Sequence, residues 1–175
     1  CLDSVAETTI DLAVVAVPAS AVVDVVREAG ESGVRTVVVV TAGFSEEGGS
    51  GATRERELTD IANTHDINLV GPNSLGVLSS RSGLNATFGP QGPLPGNVSF
   101  MSQSGAFITA VLDWAKERGL GFLDIVSLGN KAVLDETAFV QFWGADEKTT
   151  VVLGYIEGIT DGERFVQVAR EVTRE

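Results

Sequence analysis

Apolar positions along this chain follow two alternating rhythms. Short runs rich in β-branched residues, Leu12 to Val17 (LAVVAV), Val34 to Val40 (VRTVVVV) and Ile67 to Val70, read as strands, the second apolar on both faces as a covered strand would be. Between them the spacing becomes helical. Val22, Val25, Val26 and Ala29 recur opposite Asp24, Arg27 and Glu28, with Pro18 suited to a first turn and Gly30 to a C-cap. After a glycine-rich loop from Thr41 to Gly51, a helix from about Ala52 places Leu58, Ile61, Ala62 and His65 on one face. Strand, helix, strand, helix, strand predicts a parallel sheet with right-handed crossovers.

Three of the five prolines fall between Phe88 and Asn97, in Gly89-Pro90-Gln91-Gly92-Pro93-Leu94-Pro95-Gly96, a stretch expected to form neither helix nor central strand. The alternation then restarts. Strands are expected at Val98 to Met101, Leu123 to Leu128 and Val151 to Ile156, and helices at about Ser104 to Arg118 and Asp135 to Trp143. A last helix opens with the capping-box form Thr160-Asp161-Gly162-Glu163 and buries Phe165, Val168, Ala169 and Val172. The expected fold class is α/β, two consecutive doubly wound parallel-sheet units spanning 1–90 and 97–175, joined by a linker at 91–96.

Composition narrows the chemistry. The 175 residues are 43% apolar and carry 24 acids against 12 bases, for a net charge of −12 that disfavours nucleic acid and anionic membranes as partners. No stretch approaches the roughly 18 apolar residues of a membrane span and no basic, then apolar leader opens the chain, so a cytoplasmic location is expected. Cys1 and His65 are the sole residues of their types, which leaves no disulfide framework, no zinc site and no Ser-His-Asp triad. His65, on an apolar helix face near its end, reads as a packing or capping residue. Neither G-x-G-x-x-G after a first strand nor a Walker A sequence is present. A first residue other than Met and an end inside a helical pattern suggest a piece of a longer protein.

Ligands of open parallel sheets bind beyond the carboxyl ends of the strands, so the loops there are the places to search. In the first unit these are Val17-Pro18-Ala19, Thr41-Ala42-Gly43-Phe44 and Gly71-Pro72-Asn73-Ser74-Leu75-Gly76, all small or polar; each taken alone reads equally as a tight turn. In the second unit Ser102-Gln103-Ser104-Gly105 stands between a strand and an apolar helix. Its hydroxyls and backbone amides at a positive helix end suit phosphate, although Ser and Gly are also ordinary capping residues. Glu157 follows the strand Val151 to Ile156 and should stand at the same edge, to orient a histidine or a metal, or merely as a solvated loop acid.

Taken in order, DLAVVAVPA (Asp11 to Ala19), VVVVTAGFSEEG (Val37 to Gly48), LVGPNSLGVL (Leu69 to Leu78), FMSQSGAF (Phe100 to Phe107), VSLGNKA (Val126 to Ala132) and YIEGITDGERF (Tyr155 to Phe165) resemble the NDP-forming acyl-CoA synthetases, relatives of the succinyl-CoA synthetase α subunit, over essentially the whole chain. The resemblance implies a partial Rossmann-like CoA-binding domain followed by a flavodoxin-like ligase domain. It also implies the reaction acyl-CoA + ADP + phosphate ⇌ acid + CoA + ATP, through an acyl phosphate and a phosphorylated histidine lying outside this chain. On that reading Val17, Pro18, Ala19, Thr41, Ala42, Gly43, Phe44, Pro72, Asn73 and Ser74 contact coenzyme A. Ser102, Gln103, Ser104, Gly105 and Ala106 hold the phosphate of the phosphohistidine, and Glu157 is the catalytic partner of the imidazole; no residue of the chain is a metal ligand. ADP or ATP with Mg would bind elsewhere, on an ATP-grasp domain or β-type subunit. The implied partners are CoA, a small carboxylic acid and a paired α- and β-type oligomer.

The sequence departs from the family pattern in three ways. Pro72-Asn73-Ser74 replaces the Pro-Asn-Cys of many relatives, and Thr109 replaces an aromatic residue of succinyl-CoA synthetases. The glycine-rich CoA loop and the histidine loop expected on either side are absent, and His65 matches no catalytic position of the family. The segment alone is expected to be inactive; the competing reading is a non-catalytic acyl-CoA-binding or regulatory module, such as that fused to protein lysine acetyltransferases.

Overall fold

The computed structural model describes residues 9–89 and 92–173. They fall into two compact units, Cys1–Ser74 with Asn130–Val133, and Leu75–Gly129 with Leu134–Glu175.

The first unit contains β1 (Ala13–Val15), α1 (Ala19–Glu31), β2 (Thr36–Val39), a 3-10 turn (Ser45–Glu47), α2 (Gly49–Thr64) and β3 (Asn68–Val70). The strands are all parallel, in the order β1-β2-β3. Pairing of Val15 with Val39 and of Val37 with Leu69 puts these four side chains on one face. There they are buried with Val22, Val26 and Ala29 of α1 and Leu58, Ile61 and Ala62 of α2. Pro18 precedes α1 at φ −52, a position where its missing amide costs nothing. The expected C-cap, Gly30, lies inside α1 instead; the helix ends at Ser32, and Gly33 beyond it takes φ +83. Gly30 has a packing reason, because a Cβ there would stand 2.6 Å from the His65 ring. His65 itself caps α2, and its carbonyl accepts from Arg35 Nη1 at 2.6 Å, so the lone histidine packs and caps as its sequence position implied.

The second unit holds β4 (Gly76–Ser79), β5 (Leu84–Thr87), β6 (Leu94–Ser102), α3 (Gly105–Glu117), β7 (Gly121–Ser127), α4 (Glu136–Gly144), β8 (Val151–Tyr155) and α5 (Gly162–Val172). Its sheet runs β5-β4-β7-β6-β8. β6, β7 and β8 are parallel, but β4 is antiparallel to β7 and β5 antiparallel to β4, so the sheet is mixed rather than wholly parallel as the sequence suggested. The reason is geometric: the short turn between Ser79 and Leu84 is too short for a crossover helix and only allows a hairpin. These two strands also lie with the second sheet, beyond the first unit's edge at Ser74, not within a first domain reaching residue 90.

The expected linker is corrected too. Leu94, Pro95 and Gly96 belong to β6, where β7 is already paired but β8 joins only from Val98. Pro95 therefore sits where one side of the strand carries no ladder, and the register slips between Pro95 and Val98. Residues 90–91 lie outside the described part.

Adjacent strand residues face opposite ways, and the sheet is covered on both sides. Phe100, Ile125 and Leu78 pack with Ile108, Leu112 and Ala115 of α3. On the other side Met101, Val140 and Trp143 line a cavity of about 570 Å³ together with Phe165, Ala169 and Val172 of α5. Of the four α5 residues expected in the core, Val168 alone is fully buried. Three helices share one start: Ser104, Asp135 and Asp161 accept from the amides of Phe107, Ala138 and Arg164. The last cap is thus Asp161, while the Thr160 amide donates to the buried carboxylate of Glu136 at 3.1 Å.

Candidate functional site

The carboxyl ends of β1, β2 and β3 lead into the three loops singled out by the sequence, and hydrogen bonds tie those loops to one another. Thr41 Oγ1 donates to the Val17 carbonyl at 2.7 Å, and the Asn73 amide donates to the Thr41 carbonyl at 2.9 Å. Gly43 takes φ +101 and approaches Ala19 so closely that a Cβ would meet the alanine methyl at 3.0 Å. Pro18, Ala42 and Asn73 are exposed, Val17, Ala19 and Thr41 half-buried, and Gly43, Pro72 and Ser74 buried. The rim therefore offers small side chains and backbone edges, the surface a long, thin ligand arm needs for close approach.

Phe44 differs from the expectation of a ligand contact. Its side chain is wholly buried in the core of the unit, with the Arg54 guanidinium 5.7 Å from its ring centre, so it anchors the loop from below. The loop's shape is fixed by charged groups that the sequence did not single out. Glu46 Oε1 accepts from the amides of Gly43 at 2.6 Å and Phe44 at 3.2 Å, and Arg54 donates to the Gly43 carbonyl. Burial would raise the Glu46 pKa, but the Asn130 side-chain amide and these two backbone amides outweigh it and hold the carboxyl below the usual range. Asn130 belongs to the short segment Asn130–Val133 that returns to this unit. The motif carrying it was visible as VSLGNKA, but nothing local to it signals the tertiary contact.

In the second unit the Ser102-Gln103-Ser104 turn and the start of the Glu157 loop meet at the carboxyl ends of β6 and β8. Gln103 joins them: its amide donates to the Tyr155 carbonyl at 3.0 Å, and its Oε1 accepts from the amides of Glu157 at 2.7 Å and Gly158 at 3.1 Å. The two serines divide the work. Ser102 is fully buried, its hydroxyl donating to the Ser104 carbonyl and accepting from the Ser104 amide, so it shapes the turn and does not face outward. Ser104 Oγ accepts from the Phe107 amide at 3.3 Å, which leaves its O–H proton at the rim. The Gly105 and Ala106 amides, next in line at the helix start, have no acceptor among the described residues. Glu157 is exposed beside them, with no hydrogen-bond partner for its carboxylate among the described residues. Free amides, a hydroxyl and the positive end of a 13-residue helix are the groups with which a helix N-terminus favours an anion.

Among the described residues no group of three or more His, Cys, Asp and Glu is placed to hold a metal ion, and no helix is long and apolar enough to cross a membrane.

Comparison with known proteins places the two units in order. A CoA binding domain family matches residues 1–80, and a family described as succinyl-CoA ligase like flavodoxin domain matches residues 95–175. An ADP-forming acetate–CoA ligase I of Archaeoglobus fulgidus is 48% identical over 94% of this chain, which spans 24% of that protein. The α subunit of an ADP-forming acetate–CoA ligase I of Pyrococcus furiosus is 41% identical over 94% of the chain and 36% of the subunit. Among solved structures, the apo form of a dinucleotide-forming acetyl-coenzyme A synthetase 1 from Candidatus Korarchaeum cryptofilum superposes with a TM-score of 0.90 at 40% identity, over 95% of this chain and 36% of that one. The chain thus spans about a quarter to a third of the length of these relatives.

Proposed function

We propose that this chain is part of an ADP-forming acyl-CoA ligase and supplies two half-sites of such an enzyme: a CoA rim on the first unit and a phosphate seat on the second. The observation that carries the proposal is the pair of unpartnered amides, Gly105 and Ala106, beside Ser104 Oγ and Glu157 at one strand-end edge. In the whole enzyme, phosphate attacks the acyl-CoA carbonyl and CoA leaves as the thiol, giving an acyl phosphate. A histidine outside this chain takes the phosphoryl group and releases the carboxylic acid. ADP, bound with Mg on an ATP-grasp domain or β-type subunit, then accepts the phosphoryl group and leaves as ATP.

The residues of this chain act on the two ends of that sequence. Pro18, Ala42 and Asn73 form the exposed surface for CoA, with backbone groups of Val17, Ala19, Thr41, Gly43, Pro72 and Ser74 behind them. Phe44 supports this surface without touching the ligand. Ser104, Gly105 and Ala106 bind phosphoryl oxygens, while Ser102 and Gln103 hold the turn in shape. Glu157 accepts a hydrogen bond from the imidazole, fixing its tautomer and raising its nucleophilicity toward the acyl phosphate. On this reading the protein is cytoplasmic and assembles from paired α- and β-type parts.

Replacing Ser104 by Glu tests the seat directly, because it puts a fixed negative charge where the phosphoryl group belongs. In the complete protein containing this chain, Ser104→Glu is expected to abolish turnover, at least a hundredfold, with the CoA dissociation constant unchanged within about twofold. Retained turnover would remove the phosphate seat from the account.

A further inference from the structure

Resting on the CoA reading above, we infer that Asn130 is a positioning residue for the CoA rim, fixing two of its three loops through one side chain. Asn130 stands on the segment that follows β7, more than fifty residues along the chain from the loops it touches. Its backbone amide donates to the Pro72 carbonyl at 2.9 Å, and its Oδ1 accepts from Asn73 Nδ2 at 3.3 Å, which secures the loop after β3. Its Nδ2 faces Ser45 Oγ at 3.2 Å, Glu46 Oε2 and Glu55 Oε2 at 2.7 Å, which secures the loop after β2 and the α2 helix behind it.

The same two carboxylates hold the rim backbone from their other contacts. Glu46 takes the amides of Gly43 and Phe44, and Glu55 takes the amide of Ser45 at 3.1 Å. Asn130 is thus the neutral donor that lets two carboxylates share one spot while each orients the backbone a ligand would lie against. The rest of the segment keeps it there: the Ala132 amide donates to the Gly71 carbonyl at 3.0 Å, Thr59 Oγ1 donates to the Ala132 carbonyl at 3.3 Å, and Ala132 and Val133 pack on the core of the first unit. An amide carrying both a donor and an acceptor is required at this point, since Asn73 presents a donor and Glu46 and Glu55 present acceptors only.

Asn130→Asp keeps the size and the acceptor but swaps the donor for a third carboxylate oxygen, so it should push Glu46 and Glu55 apart without opening a cavity. The test measures hydrogen exchange and CoA titration calorimetry on the complete protein containing this chain and on its Asn130→Asp variant, with Asn130→Asp/Glu46→Gln as the relief variant. The inference expects the Gly43, Phe44, Ser45 and Asn73 amides to exchange at least tenfold faster in Asn130→Asp while those of β2 and α2 stay protected. It expects CoA to bind at least tenfold more weakly, and both effects to shrink in the double variant, where a neutral amide faces the new carboxylate. Unchanged exchange at the four rim amides would overturn the inference, as would faster exchange throughout the unit, which marks a general loss of structure. CoA affinity within twofold of the parent despite loosened loops would also overturn it. Failure of the parent itself to bind CoA would strike the CoA reading instead, and the exchange at the four amides would still decide whether Asn130 sets these loops.

Discussion

Gln103 carries more of the second site's geometry than any of its hydroxyls. One side-chain oxygen accepts the Glu157 and Gly158 amides, so the position of the Glu157 carboxylate depends on it. Gln103→Ala leaves two amides without their acceptor and is expected to cost about 1–2 kcal/mol of stability, read from a urea midpoint. It should also lower phosphorylation of the complete protein about tenfold through a displaced Glu157; a variant that loses stability but phosphorylates normally would show that the loop finds its place unaided. Gly51 is a second residue with a single decisive contact, since a Cβ there would stand 2.0 Å from the Phe44 carbonyl oxygen. Backbone cannot swing aside as a side chain does, so Gly51→Ala should destabilise the first unit by about 2–3 kcal/mol and loosen the Thr41 to Phe44 loop. The candidate residues were legible in the sequence as small, polar strand-end loops. What was hidden is which atoms are already engaged: that Ser102 and Phe44 face inward, and that Asn130 reaches back to the rim, follows from contacts distant in sequence.

Among the elements, the β4–β5 hairpin is held to the second sheet by a charge network rather than by apolar packing alone. Asp124 on β7, 8% exposed, accepts from Ser79 Oγ at 2.6 Å, Arg81 Nη2 at 2.8 Å and Trp143 Nε1 at 3.3 Å, and Arg81 also meets Asp146 at 2.5 Å. Arg81→Met keeps the stem but strips Asp124 of its cation, and an expected loss of about 2 kcal/mol should appear in chemical denaturation. The pH dependence has a definite sign. The Arg81 hydrogen bond, against a smaller opposing effect of burial and helped by Thr149 and Lys148, holds the Asp146 pKa below its ordinary value. A carboxyl depressed in the folded state stabilises above its unfolded pKa, about 4, and loses that contribution as pH falls through the lower folded value. The gap between parent and Arg81→Met should therefore narrow between pH 5 and pH 3; a constant gap would mean that Arg81 acts through packing. The hairpin escaped the sequence reading because Gly76–Ser79 and Leu84–Thr87 are four residues each and carry too little alternation to stand out. Pro95 misled for the opposite reason, a strong breaker tolerated where only one neighbouring strand is present.

For the whole molecule, the alternation of strands and helices and the strand-end position of the candidate loops were readable from the sequence because parallel α/β units repeat one rhythm and bind ligands at one edge. The mixed character of the second sheet and the boundary at Ser74 were not, since both depend on which strands pair across long sequence separations. On the proposed function, this chain provides the seat of a phosphohistidine with Glu157 as the partner of its imidazole. The most direct measurement incubates the complete protein containing this chain with γ-labelled ATP and Mg, beside its Glu157→Ala variant and a variant lacking the downstream histidine, and quantifies acid-labile, base-stable label on the protein. The account predicts label on the parent, at least tenfold less on Glu157→Ala with CoA affinity unchanged within about twofold, and none without the histidine. Full labelling of Glu157→Ala, or no label on a parent that still binds CoA, would contradict it.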